Sequence, residues 1–170
     1  MFAAALPRAL PLVMALAVGL SLGACARNGA DSDALNGGYG AGAGAGAPGS
    51  VQEFASSVGD RVFFETDQTE LTPTGQATLD KQAAWLNQYP RYTFTIEGHA
   101  DERGTREYNF ALGARRAENT KNYLVAKGVP ASRMRTISYG NERPVAVCND
   151  NSCWSQNRRA VTVLAGAAGS

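Results

Sequence analysis

The sequence predicts an α/β domain, an α+β sandwich in which helices pack on a mixed four-stranded sheet in the order β-α-β-α-β-β. Three observations carry that expectation: a period-two alternation between Tyr92 and Glu97, two helical stretches each closed off by capping and stop residues, and short apolar runs at both ends of residues 61–164. Strand and helix patterns that alternate along a chain place helices on the face of a sheet.

The elements follow in order. "RVFFETD", from Arg61, is a short apolar strand. In "LTPTGQATLDKQAAWLNQYP", Thr72 is suited to cap a helix and Pro73 to its first position, Leu79, Ala83 and Leu86 recur at helical spacing, and Pro90 ends the segment. "RYTFTIEG" alternates Tyr92, Phe94 and Ile96 with Thr93, Thr95 and Glu97, a strand with one buried face. Thr105 is suited to cap a second helix that runs to about Lys127, with Gly128 and Pro130 as stop signals. "RMRTISYG" and "RRAVTVL" supply the last two strands. On the second helix, Phe110, Gly113, Ala114, Ala117 and Leu124 form the expected core stripe. Asn109 and Arg116 share a line at its edge, and Arg116 leans back towards the loop before the helix.

The chain of 170 residues, 44% hydrophobic, has room for one ordinary domain with appendages. Lys and Arg number 16 against 15 Asp and Glu, so there is no basic excess for a polyanion and nucleic acid is not an expected partner. "MFAAALPRALPLVMALAVGLSLGAC" has one positive charge, Arg8, then an apolar run and small residues, the layout of an export signal covering residues 1–24. The 16 residues from Ala9 to Ala24 fall short of the roughly 20 that a spanning helix needs. Leu22-Gly23-Ala24-Cys25 resembles the lipobox of bacterial lipoproteins, which implies a diacylglyceryl group and an N-acyl chain on Cys25 and attachment to a membrane. Residues 25–59, with "NGGYGAGAGAGAPGS" at their centre, read as a flexible tether of roughly 30 Å end-to-end distance. The domain is expected over residues 60–166, with 167–170 as a tail.

With Cys25 assigned to lipid, Cys148 and Cys153 remain as an even pair in an oxidising compartment, which favours a disulfide over a C-x4-C metal half-site. No metal site and no other cofactor is expected. The charges between Glu97 and Leu124 raise the functional question. Asp101 and Glu102 from the strand end, Arg116 from the helix and the free N–H groups at the helix start converge on one notch. An acidic group opposite a bidentate cation suits a ligand with an ammonium and a carboxylate on one carbon. An internal Asp101–Arg116 ion pair that only fixes the loop fits the same residues equally well.

"EGHADERGTREYNFALGARRAENTKNYLVAKGV", followed by "SYGNERP" and "NRRAV", is very similar to the OmpA-like peptidoglycan-binding domain family over roughly Arg61 to Leu164, and the lipobox points to its lipoprotein branch. That resemblance implies a noncovalent grip on the diaminopimelate of the peptidoglycan stem peptide, with no bond broken. Carried onto this sequence, the site comprises Gly98, His99, Asp101, Glu102, Asn109 and Arg116, with Asp101 on the ammonium and Arg116 on the carboxylate. It further implies an outer-membrane lipoprotein of the Tol-Pal system, facing the periplasm. The protein TolB would compete with peptidoglycan for it, and its roles would be in envelope integrity and constriction at division. Two departures stand out: the family's Phe-Asp after the first strand is Phe64-Glu65 here, and paired cysteines occupy the loop before the last strand. A wall hydrolase using His99, Asp101, Glu102 and Glu107 is disfavoured by the single histidine and the lack of a nearby nucleophile. A flagellar stator protein would need a spanning helix, and an OmpA-like lipoprotein without Tol partners remains an alternative.

Overall fold

A computed structural model of the chain describes residues 46–165. The expected signal segment, the expected acylation site Cys25, the expected tether up to residue 45 and the expected tail 167–170 lie outside the described residues. Within them, the chain forms α1 (Val51–Glu53), which continues as a wider π-type coil over Phe54–Gly59, then β1 (Arg61–Phe63), α2 (Pro73–Gln88), β2 (Phe94–His99) and α3 (Arg106–Ala126). A 3-10 turn at Ala131–Arg133 leads to β3 (Met134–Gly140), α4 (Asn151–Asn157) and β4 (Arg159–Leu164).

The four strands make one sheet in the order β1-β4-β2-β3, with β2 and β3 parallel and the other pairs antiparallel. The central strands β2 and β4 pair Phe94 with Leu164 and Ile96 with Thr162. Tyr92, Phe94 and Ile96 are buried as the alternation requires, and with Val62, Leu79, Leu86, Ala117 and Leu124 they form the core under the helices. Gln82 of α2 crosses that core as a satisfied polar link: its amide donates to Gly59 O at 2.7 Å and accepts the Thr162 hydroxyl at 2.8 Å.

The helix starts come from local chemistry. Thr72 Oγ1 accepts from Gly75 N at 3.0 Å with Pro73 as the first residue of α2, and Thr105 Oγ1 accepts from Tyr108 N at 3.2 Å at the start of α3. Gly128, at φ +89°, turns the chain after α3 in a conformation that side chains resist.

The core stripe of α3 differs from expectation. Phe110 is 55% exposed and Ala114 is exposed, whereas Asn109, Leu112, Gly113, Arg116, Ala117, Thr120 and Leu124 are buried. A wheel built from apolarity places a guanidinium at the rim. Here three main-chain carbonyls accept from Arg116, so it can face inward and the helix is rotated accordingly.

Residues 46–59, expected as part of the tether, pack on the domain instead. Phe54 is buried against Trp85 with ring centroids 4.9 Å apart. Trp85 Nε1 donates to Glu53 at 2.8 Å, and the Tyr92 hydroxyl donates to Gly49 O at 2.7 Å. Burying one phenylalanine contributes about 2 to 3 kcal/mol, enough to hold a short segment that composition alone assigns to a linker. Helix α4, in the cysteine loop, has no counterpart in the expected order. Asp150 caps it, accepting from Ser152 N at 2.7 Å, and Cys148 and Cys153 are joined as a disulfide around its start.

Gly98 of β2 and Gly113 of α3 are in direct contact, since a Cβ at Gly98 would lie 1.9 Å from Gly113 O and one at Gly113 would lie 2.5 Å from Ser138 Oγ. The Gly113 carbonyl is backbone within a regular helix and cannot yield. Gly98→Ala is therefore expected to cost about 2 to 4 kcal/mol of stability. Denaturant unfolding reads the change, and a wild-type midpoint would refute the close packing.

Candidate functional site

The cleft lies at the C-terminal end of β2. There the pairing with β3 shifts register between Gly98 and His99, and Ala100 N still bonds Gly140 O at 2.8 Å before the chain leaves the sheet as the turn 101–104. Such a bulge redirects the residues that follow it. The turn faces Thr66 and Asp67 of the β1–α2 loop on one side and the first turns of α3 on the other. Asp101, Arg103, Gly104, Tyr108, Asn109, Leu112 and Arg116 complete a cleft of about 270 Å³.

Arg116 is its floor. With no exposed surface, it donates from Nε to Gln68 O at 2.9 Å, from Nη1 to His99 O at 2.8 Å and from Nη2 to Glu65 O at 3.2 Å. Its guanidinium also lies 5.1 Å from the centre of the Phe64 ring. Burial pushes its pKa down to about 10, against the opposing pull of Asp101, so it stays charged at neutral pH. A guanidinium has five N–H groups, and two of the five remain beyond the three carbonyl bonds.

Asp101 is held elsewhere. Its Oδ1 accepts from Arg103 N and Nε, both at 3.1 Å, and its Oδ2 accepts from Arg103 Nη2 at 2.6 Å and Arg158 Nη1 at 3.2 Å. Burial works to raise its pKa, but these bonds outweigh it and keep the carboxyl below its usual range. The internal Asp101–Arg116 ion pair does not form. The two groups line one cleft with separate partners. Asn109 is buried and its amide donates to Arg103 O at 2.9 Å, fixing the turn.

The other three expected site residues do not line this cleft. Gly98 lies beneath α3, as described. His99 contributes its carbonyl to Arg116, while its ring is 2% exposed, stacked on Tyr139 at 5.6 Å, and has no hydrogen-bond partner at either nitrogen. Burial, with Arg159 and Arg143 nearby, pushes its pKa down to about 4, although Glu97 lies 3.7 Å from Nε2. Glu102 is exposed and accepts the indole N–H of Trp154.

Sequence reasoning missed Thr66, Asp67, Arg103 and Tyr108. Asp67 adopts φ +62°, a left-handed conformation that aspartate tolerates better than most residues, and its Oδ1 accepts the Tyr108 hydroxyl. Its Oδ2 has no partner among the described residues. Arg103 was legible in part, because the Asp101 carboxylate accepting from the N–H two residues on is a common turn of Asp, and "DERG" has the composition for it. The Arg103 guanidinium sits 4.2 Å from the centre of the Trp154 ring of α4, and its Nη1 makes no hydrogen bond among the described residues. The cleft thus carries two carboxylates, Asp67 and Asp101, and two guanidiniums, Arg103 and Arg116. That balance suits a zwitterion. Among the described residues no group of three potential metal ligands occurs, and no helix is long and apolar enough to cross a membrane.

The sequence model of the OmpA family matches residues 63–159. A peptidoglycan-associated lipoprotein of Rhizobium meliloti (strain 1021) is 71% identical over 120 residues, which span 71% of this chain and 68% of that protein. The crystal structure of the peptidoglycan-associated lipoprotein from Burkholderia pseudomallei aligns with a TM-score of 0.63 at 39% identity, covering 65% of this chain and 96% of that one. The C-terminal domain of Helicobacter pylori MotB aligns with a TM-score of 0.60 at 21% identity over 64% of this chain and 86% of that one, a likeness of fold alone.

Two outcomes follow from the buried side chains of Arg116 and His99. Arg116→Met leaves three carbonyls without their donor and should cost about 3 to 5 kcal/mol in denaturant unfolding; a cost below 1 kcal/mol would show that the clamp is dispensable. For His99, the unfolded chain binds a proton at about pH 6.5 and the folded one only near pH 4. Stability contributed by its neutral ring is complete above pH 6.5 and falls as the pH drops through that window, by about 3 kcal/mol at most. His99→Phe should flatten the pH dependence of unfolding between those limits, and an unchanged slope would assign it to other groups.

Proposed function

The chain belongs to the OmpA family, and within it to the peptidoglycan-associated lipoproteins. From this premise we propose that the cleft beside Asp101 holds the zwitterionic end of diaminopimelate in the peptidoglycan stem peptide. The protein then anchors a membrane to the cell wall without breaking any bond. The observation that carries the reading is the pairing of Asp67 and Asp101 with Arg103 and Arg116 around one cleft of about 270 Å³, large enough for an amino-acid head group.

In this reading the ligand carboxylate lies over Arg116 and draws on its charge, and the cleft opens to bring the two N–H groups not given to main chain into reach, since Arg116 has no exposed surface in the free protein. The ammonium donates to the carboxylates of Asp101 and Asp67. Tyr108 and Asn109 fix the walls, the first through Asp67 and the second through the carbonyl of Arg103. An amine already consumed in a cross-link cannot supply the ammonium, so uncross-linked stems are the preferred ligand. The reading extends to a lipid anchor on Cys25 in the outer membrane, a domain in the periplasm, and membership of the Tol-Pal system with TolB competing for the same surface. Support for constriction during division and envelope integrity follows from that membership. Nothing in the cleft resembles a hydrolytic centre, since its carboxylates are ion-paired or hydrogen-bonded and the one histidine of the chain is buried away from it.

Sedimentation with purified sacculi tests the site. A charge-assisted hydrogen bond contributes about 1.5 to 3 kcal/mol, so Asp101→Asn and Asp67→Asn should each weaken binding roughly ten- to a hundredfold while circular dichroism stays unchanged. Binding by both variants at the wild-type level would place the ligand elsewhere, and release of soluble wall fragments during incubation would contradict a purely binding role.

A further inference from the structure

Behind the turn 101–104 stands a small device that the zwitterion reading does not use. Helix α4 has seven residues, too short to persist alone, and three fastenings hold it. Asp150 caps its start, the Cys148–Cys153 bridge closes its first turn, and Asn157 ties its end to the preceding loop. Asn157 does this by donating to Ala146 O at 2.8 Å and accepting from Val145 N at 2.9 Å. Asn151 and Trp154 fall at i and i+3 and so share one face, and Arg158, the residue that ends the helix, returns to it by donating to Asn151 Oδ1 at 3.4 Å. Arg158 also reaches Asp101, and Trp154 meets both Arg103, by its ring, and Glu102, by its indole N–H.

We infer that Trp154, seated by the Cys148–Cys153 disulfide, is a positioning residue for Arg103, and that the grip of the cleft depends on the bridge being closed. The inference rests on the reading of the cleft given above. The Arg103 side chain is 40% exposed, and besides Asp101 and the Trp154 ring it meets Thr66 Oγ1 at 3.4 Å. Asp101 holds the Nε–Nη2 edge of the guanidinium, which leaves the long arm freedom to tilt about that edge. The indole face removes that freedom on one side. The bond from the indole N–H to Glu102, next in sequence to Arg103, sets the tilt of the ring. Arg103 Nη1 is thereby kept at the cleft wall as a further donor for the ligand carboxylate. Cys153 immediately precedes Trp154 and is 8% exposed, so the bridge determines where the indole enters the loop. Opening it leaves Asn157 and Arg158 anchored and releases the turn that presents Trp154.

The test uses the full chain in detergent and purified sacculi, with affinity read by sedimentation and folding by thermal unfolding. Arg103→Ala should weaken binding roughly tenfold and Trp154→Ala roughly three- to tenfold. Trp154→Phe, which keeps an aromatic face, should retain most of the wild-type affinity. Cys148→Ser with Cys153→Ser should match Trp154→Ala. So should treatment with a dithiol, which leaves two thiols on the protein and one cyclic disulfide on the reagent. In the Arg103→Ala background none of these changes should weaken binding further, a non-additivity that a general loosening of the fold would not produce. Three results would overturn the inference: Arg103→Ala or Trp154→Ala binding as the wild type does, losses that simply add, or a Trp154→Phe variant as weak as Trp154→Ala. Failure of the unmodified protein to sediment with sacculi would instead overturn the reading of the cleft itself.

Discussion

The buried guanidinium of Arg116 is the constraint on which the rest of the molecule turns. A charge without solvent is costly unless its donors are matched, and here three main-chain carbonyls from two separate segments meet it: Glu65 and Gln68 after β1, and His99 at the end of β2. Carbonyl dipoles replace water, and the face of Phe64 covers part of what remains. The arrangement needs no carboxylate partner, and this leaves Asp101 to bind Arg103 and Arg158 instead. A single side chain thus decides both the rotation of α3 and the position of the loop that forms the far wall of the cleft.

That clamp works only because α3 rides very close to the sheet. Gly98 and Gly113 remove the side chains that would otherwise hold helix and strand apart, and Ser138 fills the space beside them by donating to Phe110 O at 2.6 Å. With the backbones in contact, the Arg116 side chain spans the short gap from helix to strand end. The site is therefore a consequence of the packing: the same closeness that buries the glycines brings Asp101, Asn109 and Arg116 around one volume.

Much of the fold was legible from local chemistry. The caps at Thr72 and Thr105, the stop at Gly128 and the alternation at Tyr92, Phe94 and Ile96 each depend on a residue and its near neighbours, and each stands where the sequence places it. Features that depend on distant partners were not legible. Phe54 looks like part of a linker until Trp85 is beside it, α4 needs a disulfide and Asn157 to exist, and the inward turn of Arg116 needs carbonyls 17 to 51 residues away. The same distinction divides the expected site. Asp101, Asn109 and Arg116 line the cleft, while Gly98, His99 and Glu102 share the motif and serve other contacts. Sequence adjacency alone cannot separate these roles, because a strand sends successive side chains to opposite faces.

The segment that docks Phe54 has a mechanical consequence. Gly49 O accepts from both the Tyr92 hydroxyl, at 2.7 Å, and Arg91 Nη2, at 2.5 Å, so the chain that enters the domain is fastened at the start of β2. The cleft is at the other end of that strand, about 20 Å away for six residues. Were a ligand held in the cleft as proposed, tension between it and the incoming chain would be directed along β2, which has β3 on one side and β4 on the other. Its ladder bonds would then be strained in shear and share the load, whereas a strand pulled sideways from an edge gives up its bonds one at a time. The geometry is that of a strap stitched along its length.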